Sequence, residues 1–230
     1  MPKKAGMIFV ITGAVLMLSA LLLFLYNGYE ERRAGQQAEL LVAELQTMIA
    51  EQPQPVPEPE DHPVTMPQAE SAVPETEIEA EISEPEETIP AEMPVVMLDG
   101  YDYIGWLSIP DLGLALPVMA EWDYERLKIA PCRHFGSSRT DDLVIAAHNY
   151  RTHFGSLASL SAGAEVVFTD MDGVENRYQL AEAPILLPPE AVDAVQNSGH
   201  DLVLYTCTPG NAQRVAAFCD RAAEESGGGF

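Results

Sequence analysis

The feature that most restricts the fold of this chain is an acidic, proline-rich segment from Glu51 to Pro94. By direct count it holds ten prolines and thirteen acidic residues, and it lacks Lys, Arg and aromatic residues. Such a segment cannot bury enough apolar surface to offset the entropy lost on ordering. Prolines and like charges keep a chain extended, so we predict a disordered stalk over residues 51–95. One compact domain must then form from the roughly 125 residues that follow.

An uncharged apolar run extends from Met7 to Tyr26. At about 1.5 Å rise per residue, a helix over this run is about 30 Å long, the thickness of the hydrocarbon core of a bilayer. The alternative is a cleaved signal peptide, but its apolar region is usually only about 7–15 residues long and ends in an A-x-A-like site. Lys3 and Lys4 precede the run and favour a cytoplasmic N-terminus. We therefore predict a transmembrane anchor in residues 1–29, with residues 7–26 in the membrane.

Between the anchor and the stalk, residues 30–50 show apolar positions at helical spacing and predict a juxtamembrane helix. Two heptads are too few to indicate dimerisation. The apolar positions are Leu40, Leu41, Leu45, Met48 and Ile49. With the anchor, this arrangement predicts a single-pass protein of the cell membrane whose folded domain is extracellular.

The charge of the chain excludes nucleic acid as a partner. The formal net charge is −24, and about half of it comes from the stalk. Nucleic-acid binding requires clustered Lys and Arg, and the sequence shows no such cluster.

Residues 96–222 contain seven or eight short apolar runs separated by turns, with little helical pattern. This pattern predicts an all-β fold, a closed or nearly closed β-barrel with short helices. In the first run, Ile104, Trp106 and Ser108 follow a period of two and are predicted to share one face. The run Leu143–Ala147 predicts a strand that stops at His148. Turn residues indicate hairpins at Pro110-Asp111, Asp172-Gly173 and Pro209-Gly210, and the glycine-rich residues 223–230 predict a flexible tail.

The stretch LYTCTPGNAQR, from Leu204 to Arg214, raises the question of what Cys207 does. We expect Pro209-Gly210 to form a two-residue hairpin turn. Cys207 then lies opposite Ala212, and Arg214 is its diagonal neighbour on the same face. A positive charge at this position favours the thiolate over the thiol. Its N–H donors can also stabilise an oxyanion that forms on a carbonyl attacked by the thiolate.

The three cysteines leave other interpretations of Cys207 open. An odd number leaves at least one thiol without an intramolecular partner. In the assumed register Cys219 points to the face opposite Arg214, which argues against a Cys207–Cys219 disulfide, while a Cys132–Cys219 disulfide stays open. A buried, inert Cys207 is also open.

A cysteine nucleophile needs a proton carrier, usually a histidine. Of the five histidines, His148 is the best candidate, because a side chain at the end of a strand can be aimed from a rigid sheet into a cleft. His134, His153 and His200 lie in predicted loops or at element ends, and His62 lies in the stalk. His148 and His153 have a zinc-like spacing, but no close cysteine pair accompanies them, so we expect no metal site.

Three separated motifs together resemble the sortase family. They are GWLSIPDLGLALPV, LVIAAHNYRTHFGSLASL and LVLYTCTPGNAQRVAAFCDR, in that order along the chain. Leu204–Cys207 matches the last four positions of the T-L-x-T-C signature, with Val203 where the family often has Thr. The AAHNY and HFGSL segments resemble class B-like, clostridial forms.

The resemblance implies an eight-stranded sortase-type β-barrel and a cysteine transpeptidase of Gram-positive cell surfaces. Cys207 would be the nucleophile, His148 the general acid and base, and Arg214 the oxyanion-stabilising group, with Thr206 in contact with the substrate. The substrates would be surface proteins or pilins with a C-terminal LPxTG-like sorting signal. After a thioacyl-enzyme forms, an amine of a peptidoglycan precursor or of a pilin Lys would release the product.

No cofactor is expected, although the calcium site of some sortases stays open. The acidic residues that such a site could use are more typical of solvated turns: Asp141, Asp142, Asp170 and Asp172. Two other functions stay open as well: a catalytically inactive, stalk-mounted binding module, and a cysteine peptidase that only hydrolyses.

Overall fold

The computed structural model describes residues 2–51, 92–191 and 195–223. Most of the predicted stalk, and residues 224–230 of the predicted tail, lie outside the described residues. The helix and strands are α1 (Pro2–Ala50), β1 (Val96–Leu98), β2 (Tyr101–Ile109), β3 (Leu114–Met119), β4 (Cys132–Phe135), β5 (Leu143–Ala147), β6 (Glu165–Asp170), β7 (Glu175–Leu180), β8 (Ile185–Leu187), β9 (Leu202–Cys207) and β10 (Arg214–Arg221). Short 3-10 turns lie at Pro110–Leu112, Arg126–Lys128, Leu157–Ser159 and Pro189–Ala191.

Eight of the strands close into a barrel. Neighbours follow the order β2-β3-β4-β5-β9-β10-β7-β6, and pairing of β6 with β2 closes the ring. Strands β1 and β8 pair with β2 and β10 outside this ring. The pairs β3–β4 and β5–β9 are parallel, and the other pairs of the ring are antiparallel. The prediction of an eight-stranded, all-β barrel with short helices is confirmed.

The side chains of the barrel form two apolar layers. One layer gathers residues of β2, β3, β5, β6, β7, β9 and β10 and fills the interior, and the other lies outside the ring. On β9, Leu204 belongs to the interior layer, whereas Val203 and Tyr205 belong to the outer layer. Because successive strand residues alternate between faces, Cys207 lies on the same face as Tyr205.

A β-bulge at Gly105 sets the faces of β2. The pairing of β2 with β3 shifts register immediately before Gly105. As a result, Ile104 and Leu107 both belong to the interior layer, while Trp106 packs against the outer layer. The predicted common face of Ile104, Trp106 and Ser108 is therefore wrong, because the extra residue of a bulge breaks the period of two.

We expect Gly105→Ala to destabilise the barrel by about 4 kcal/mol or more in the free energy of unfolding. The backbone of Gly105 has φ +146, and an added Cβ would lie 2.0 Å from the carbonyl oxygen of Thr169. Relief of this clash would break the β2–β6 pairing that closes the ring. Urea denaturation measures the loss. Gly163→Ala is the matched control, with φ +82 and nothing within 4 Å of its added Cβ. It should cost only about 1–2 kcal/mol, and equal losses would contradict the prediction.

The anchor and the juxtamembrane helix form one continuous helix, α1. The helix contains a stretch long and apolar enough to cross a membrane, and this stretch is fully exposed. Its second half packs on the barrel through a face of small and aliphatic residues. Of the apolar positions that recur at helical spacing in the sequence, Leu41 and Leu45 are buried in that face, whereas Leu40 is 72% exposed and points away. The buried residues of this face are Ala34, Ala38, Leu41, Val42 and Leu45.

Helix α1 and the end of the acidic segment both pack on the barrel. Ala38 of α1 and Met93, near the end of the segment, belong to the same apolar cluster. Helix α1 therefore connects the predicted anchor directly with the barrel.

Candidate active site

Three strands bring the predicted catalytic residues to one edge of the barrel. Strand β5 runs parallel to β9, and Ala147 pairs with Thr206. His148 and Cys207 are the next residues on the two strands and therefore lie side by side. Strand β10 pairs with the other side of β9 and places Arg214 directly opposite Cys207. His148, Cys207 and Arg214 line one cavity of about 270 Å³.

The hairpin that carries Arg214 is wider than the two-residue turn that the sequence suggested. Residues 208–213 form the loop, closed by a hydrogen bond from the Thr208 N–H to the Gln213 carbonyl oxygen (2.9 Å). Asn211, at φ +63, donates its N–H to the Thr208 carbonyl oxygen (2.8 Å). The predicted pairing of Cys207 with Ala212 is therefore wrong. Because the loop takes up more residues, Arg214 is the direct neighbour of Cys207 instead of the diagonal one.

All three cysteines are free thiols in the structure. Cys219 belongs to the interior layer, whereas Cys132 belongs to the outer layer. Burial raises the pKa of each of these two thiols to about 12. Cys207 is partly exposed in the cavity. Of the three thiols, Cys207 is therefore the one that a substrate can reach.

His148 is positioned to accept a proton near neutral pH. It is half-buried, and burial, followed by the nearby charge of Lys128, lowers its pKa below the usual value. The neutral imidazole therefore predominates at pH 7. Its ring centroid lies 4.9 Å from that of Tyr150.

His153, the other histidine of the zinc-like spacing, is fully buried. Burial, and then the neighbouring His148, lowers its pKa to about 4. Neither of its ring nitrogens has a hydrogen-bond partner within residues 2–51, 92–191 and 195–223. In that part of the chain, no group of three or more His, Cys, Asp or Glu side chains could hold a metal ion.

The guanidinium group of Arg214 is held by its own hairpin loop. Its Nη1 donates to Asn211 Oδ1 (2.9 Å) and to the Gln213 carbonyl oxygen (3.1 Å). These bonds keep the group at the mouth of the cavity, where its N–H donors can turn toward a carbonyl bound at Cys207.

Thr206 links the two parallel strands at the site. Its hydroxyl donates to the Ala147 carbonyl oxygen (2.8 Å), and the residue is only 2% exposed. This bond ties the end of β5 to the end of β9. His148 directly follows β5, and Cys207 is the last residue of β9. The bond gives Thr206 a positioning role, while a direct substrate contact stays a prediction.

An aromatic wall, consisting of Trp122, Tyr124, His134 and Tyr205, lines the same cavity and was not found from the sequence. The Tyr205 hydroxyl and His134 Nδ1 are hydrogen-bonded at 2.8 Å. The Trp122 ring centroid lies 5.0 Å from those of Tyr124 and His134. Strand alternation places Tyr205 on the face of Cys207, which was the one available signal. Trp122 and His134 come from distant segments.

Three of the four acidic residues considered for calcium pair with arginines, while Asp142 accepts hydrogen bonds from the Ser137 N–H (2.9 Å) and the Thr140 hydroxyl (2.5 Å). Asp170 is fully buried and accepts a hydrogen bond from Arg139 (2.8 Å). Its interpretation as a solvated turn residue is therefore wrong. Asp172 also pairs with Arg139, and Asp141 pairs with Arg221.

Comparison with known proteins matches the folded part of this chain to one family. The family model of the sortase domain matches residues 107–222, just over half of the 230-residue chain. A search of curated proteins found no match. The chain is similar to solved structures of sortases A and C. The sequence identities are low, so this similarity bears on the fold alone. The class B-like subtype is not confirmed.

Three of these structures illustrate the extent of the likeness. Sortase A from Corynebacterium diphtheriae is 21% identical with a TM-score of 0.49, and the match covers 55% of this chain and 64% of that one. Sortase C of Streptococcus pneumoniae is 22% identical with a TM-score of 0.47, and the match covers 53% of this chain and 67% of that one. Sortase C of Clostridium perfringens SM101 is 19% identical with a TM-score of 0.44, and the match covers 53% of this chain and 71% of that one. The chain thus spans about two thirds of the length of these proteins.

Proposed function

The chain belongs to the sortase family, and we propose that it is a cysteine transpeptidase acting on proteins with a C-terminal sorting signal. The observation that carries the proposal is the strand register. Cys207 lies directly opposite Arg214. On its other side, Thr206 pairs with Ala147, so the next residues, Cys207 and His148, lie side by side. The three groups that acyl transfer to a thiol requires therefore share one cavity.

In the acylation step, the neutral His148 imidazole takes the proton of the Cys207 thiol. The resulting thiolate attacks the carbonyl carbon of the peptide bond after the Thr of an LPxTG-like signal, while His148 holds the proton as an imidazolium. The carbonyl oxygen becomes an oxyanion, which the Arg214 guanidinium stabilises. Collapse of this intermediate breaks the C–N bond and leaves a thioester on Sγ. The departing amine takes a proton from the His148 imidazolium.

In the transfer step, an amine attacks the thioester carbonyl and loses a proton to His148. The C–S bond breaks, a new amide bond forms and the Cys207 thiolate is regenerated. The acceptor class is an amine of a peptidoglycan precursor or of a pilin Lys. No step requires a cofactor or a redox partner.

Two further observations support the substrate class and the location. One structure in the comparison is Clostridium perfringens sortase C with the C-terminal cell wall sorting motif. For this chain we propose the same class of substrate, carried by surface proteins or pilins. The exposed apolar stretch of α1 supports anchoring in the membrane. For the orientation we propose a cytoplasmic N-terminus and an extracellular barrel, because Lys3 and Lys4 precede the apolar run.

Product analysis with the full-length chain in nanodiscs tests the proposal. We expect mass spectrometry to show a thioacyl adduct on Cys207 with sorting-signal peptides, and a transfer product when an amine acceptor such as triglycine is added. Scrambled peptides are the control. Product that is only the hydrolysed peptide at saturating amine would favour a peptidase. Absence of any adduct across a library of sorting-signal peptides would favour an inactive binding module.

A further inference from the structure

The loop after His148, residues 149–156, is held from outside by helix α1. The Thr152 hydroxyl donates to the Glu31 carbonyl oxygen (3.0 Å), and the Glu31 carboxylate accepts the Arg151 N–H. Gly35, one helical turn further, lies so close that a Cβ there would be 2.7 Å from the Thr152 methyl carbon. Helix α1 and this loop are therefore in direct contact across more than a hundred residues of sequence.

The same loop is also fixed from inside the barrel. Phe154 is fully buried in the interior layer, and its N–H donates to the His148 carbonyl oxygen (3.2 Å). His153 is fully buried beside it. The N–H groups of His153 and Gly155 both donate to the Tyr150 carbonyl oxygen (2.9 and 2.8 Å). The loop is therefore a tight turn that directly follows His148.

Helix α1 also approaches the ring that neighbours His148. Tyr150 lies 4.9 Å from the His148 ring, centroid to centroid. Burial raises the pKa of Tyr150, and the negative charges of Glu30 and Glu31 on the helix act in the same direction. The ring beside His148 is thus under the electrostatic influence of the helix that also holds the loop.

We propose that Glu31 and Thr152 are positioning residues, through which the membrane-anchoring helix fixes the loop that aims His148 into the cavity. This proposal rests on the proposed function, since it concerns the geometry of the catalytic imidazole. Neither residue touches the substrate cavity; the residues that line it include His148 but not Glu31 or Thr152. Their effect therefore passes through the loop.

The functional test uses the full-length chain in nanodiscs and compares Thr152→Val with Thr152→Ser. Valine keeps the shape of threonine but lacks the donor, whereas serine keeps the hydroxyl. We expect Thr152→Val and Glu31→Ala to lower kcat roughly tenfold, a fraction of what general acid–base catalysis contributes, with KM changed less than twofold. Thr152→Ser should retain wild-type kcat. Glu39→Ala is the matched control, because Glu39 is an exposed carboxylate on the same helix.

Two measurements follow the loop and His148 without requiring turnover. Amide hydrogen exchange of residues 149–156 should accelerate about tenfold in Thr152→Val and Glu31→Ala and stay unchanged in Glu39→Ala. NMR signals of the His148 ring should shift in the same two variants. The ring also lies beside Tyr150 and is influenced by the charges of Lys128 and His153, and all three variants retain these residues.

The outcomes separate this proposal from the proposed function. Unchanged His148 ring signals, or unchanged kcat despite faster exchange, would overturn the positioning role. Equal losses in Thr152→Ser and Thr152→Val would also overturn it, because the hydroxyl would then not matter. If the wild-type chain forms no adduct, the proposed function fails, and the ring signals alone decide whether α1 positions His148.

Discussion

Replacing Cys207 with Ala is expected to abolish the thioacyl adduct and to lower turnover at least about 10⁴-fold. Arg214 and His148 can polarise and protonate a substrate, but without Sγ no covalent intermediate can form. The fold should be unaffected, because Cys207 ends β9 at the edge of the cavity and is partly exposed. Mass spectrometry measures the adduct, and thermal denaturation checks the fold.

The other thiols supply the control for this variant. Cys132 and Cys219 are buried, and burial raises the pKa of each to about 12. At neutral pH, iodoacetamide should therefore label Cys207 in the folded chain and leave the other two unmodified. Cys219→Ala should retain turnover while lowering stability by about 1 kcal/mol or more, since it removes a buried group. Wild-type turnover in Cys207→Ala would exclude the transpeptidase mechanism proposed above.

Local patterns predicted the strands of the barrel well. The strand Leu143–Ala147 was predicted with the bounds that the structure shows, because five apolar residues are followed by a polar break at His148. Hairpins at Asp172-Gly173 and Pro209-Gly210 were also correct, since turn residues act over three or four positions.

Register and long-range contacts were beyond local patterns. The loop of residues 208–213 depends on the left-handed backbone of Asn211, and a simpler two-residue turn suited the same sequence. The bulge at Gly105 depends on the close approach of Thr169, which lies on β6. A period of two cannot reveal either feature, so the predicted register of Cys207 was wrong by two residues, Ala212 instead of Arg214.

The candidate site was predicted from chemistry more than from geometry, and its catalytic role stays a prediction. Acyl transfer to a thiol uses a Cys nucleophile, a His proton carrier and an oxyanion-stabilising Arg. The sequence offered a candidate for each, and all three line one cavity. The aromatic wall of the cavity was missed, as was the contact of helix α1 with the loop after His148. Trp122 and His134 come from different segments that only the closed barrel brings together, and Glu31 meets the loop from a distant part of the sequence.

His148→Gln is expected to lower turnover about 10³-fold, within the range that general acid–base catalysis contributes. Glutamine keeps hydrogen-bonding groups at the strand end but cannot exchange a proton near pH 7. The dependence of the rate on pH tests whether His148 is the general base. Burial and Lys128 lower the pKa of His148, so the neutral base is present at pH 7 and is lost as the pH falls through that lowered pKa. The acid limb of the wild-type rate should therefore lie below the usual pKa of histidine.

The Lys128→Gln variant tests whether His148 sets the acid limb of the pH–rate profile. Removing the charge of Lys128 raises the pKa of His148, so the acid limb should move to higher pH, and added salt should reduce the difference from wild type. Lys128 is exposed and paired with Glu125 (2.7 Å), so this change should leave the fold intact. Steady-state rates over pH 4–9 measure both effects. An acid limb that stays the same in Lys128→Gln and persists in His148→Gln would show that another group titrates, and His148 would then not be the general base.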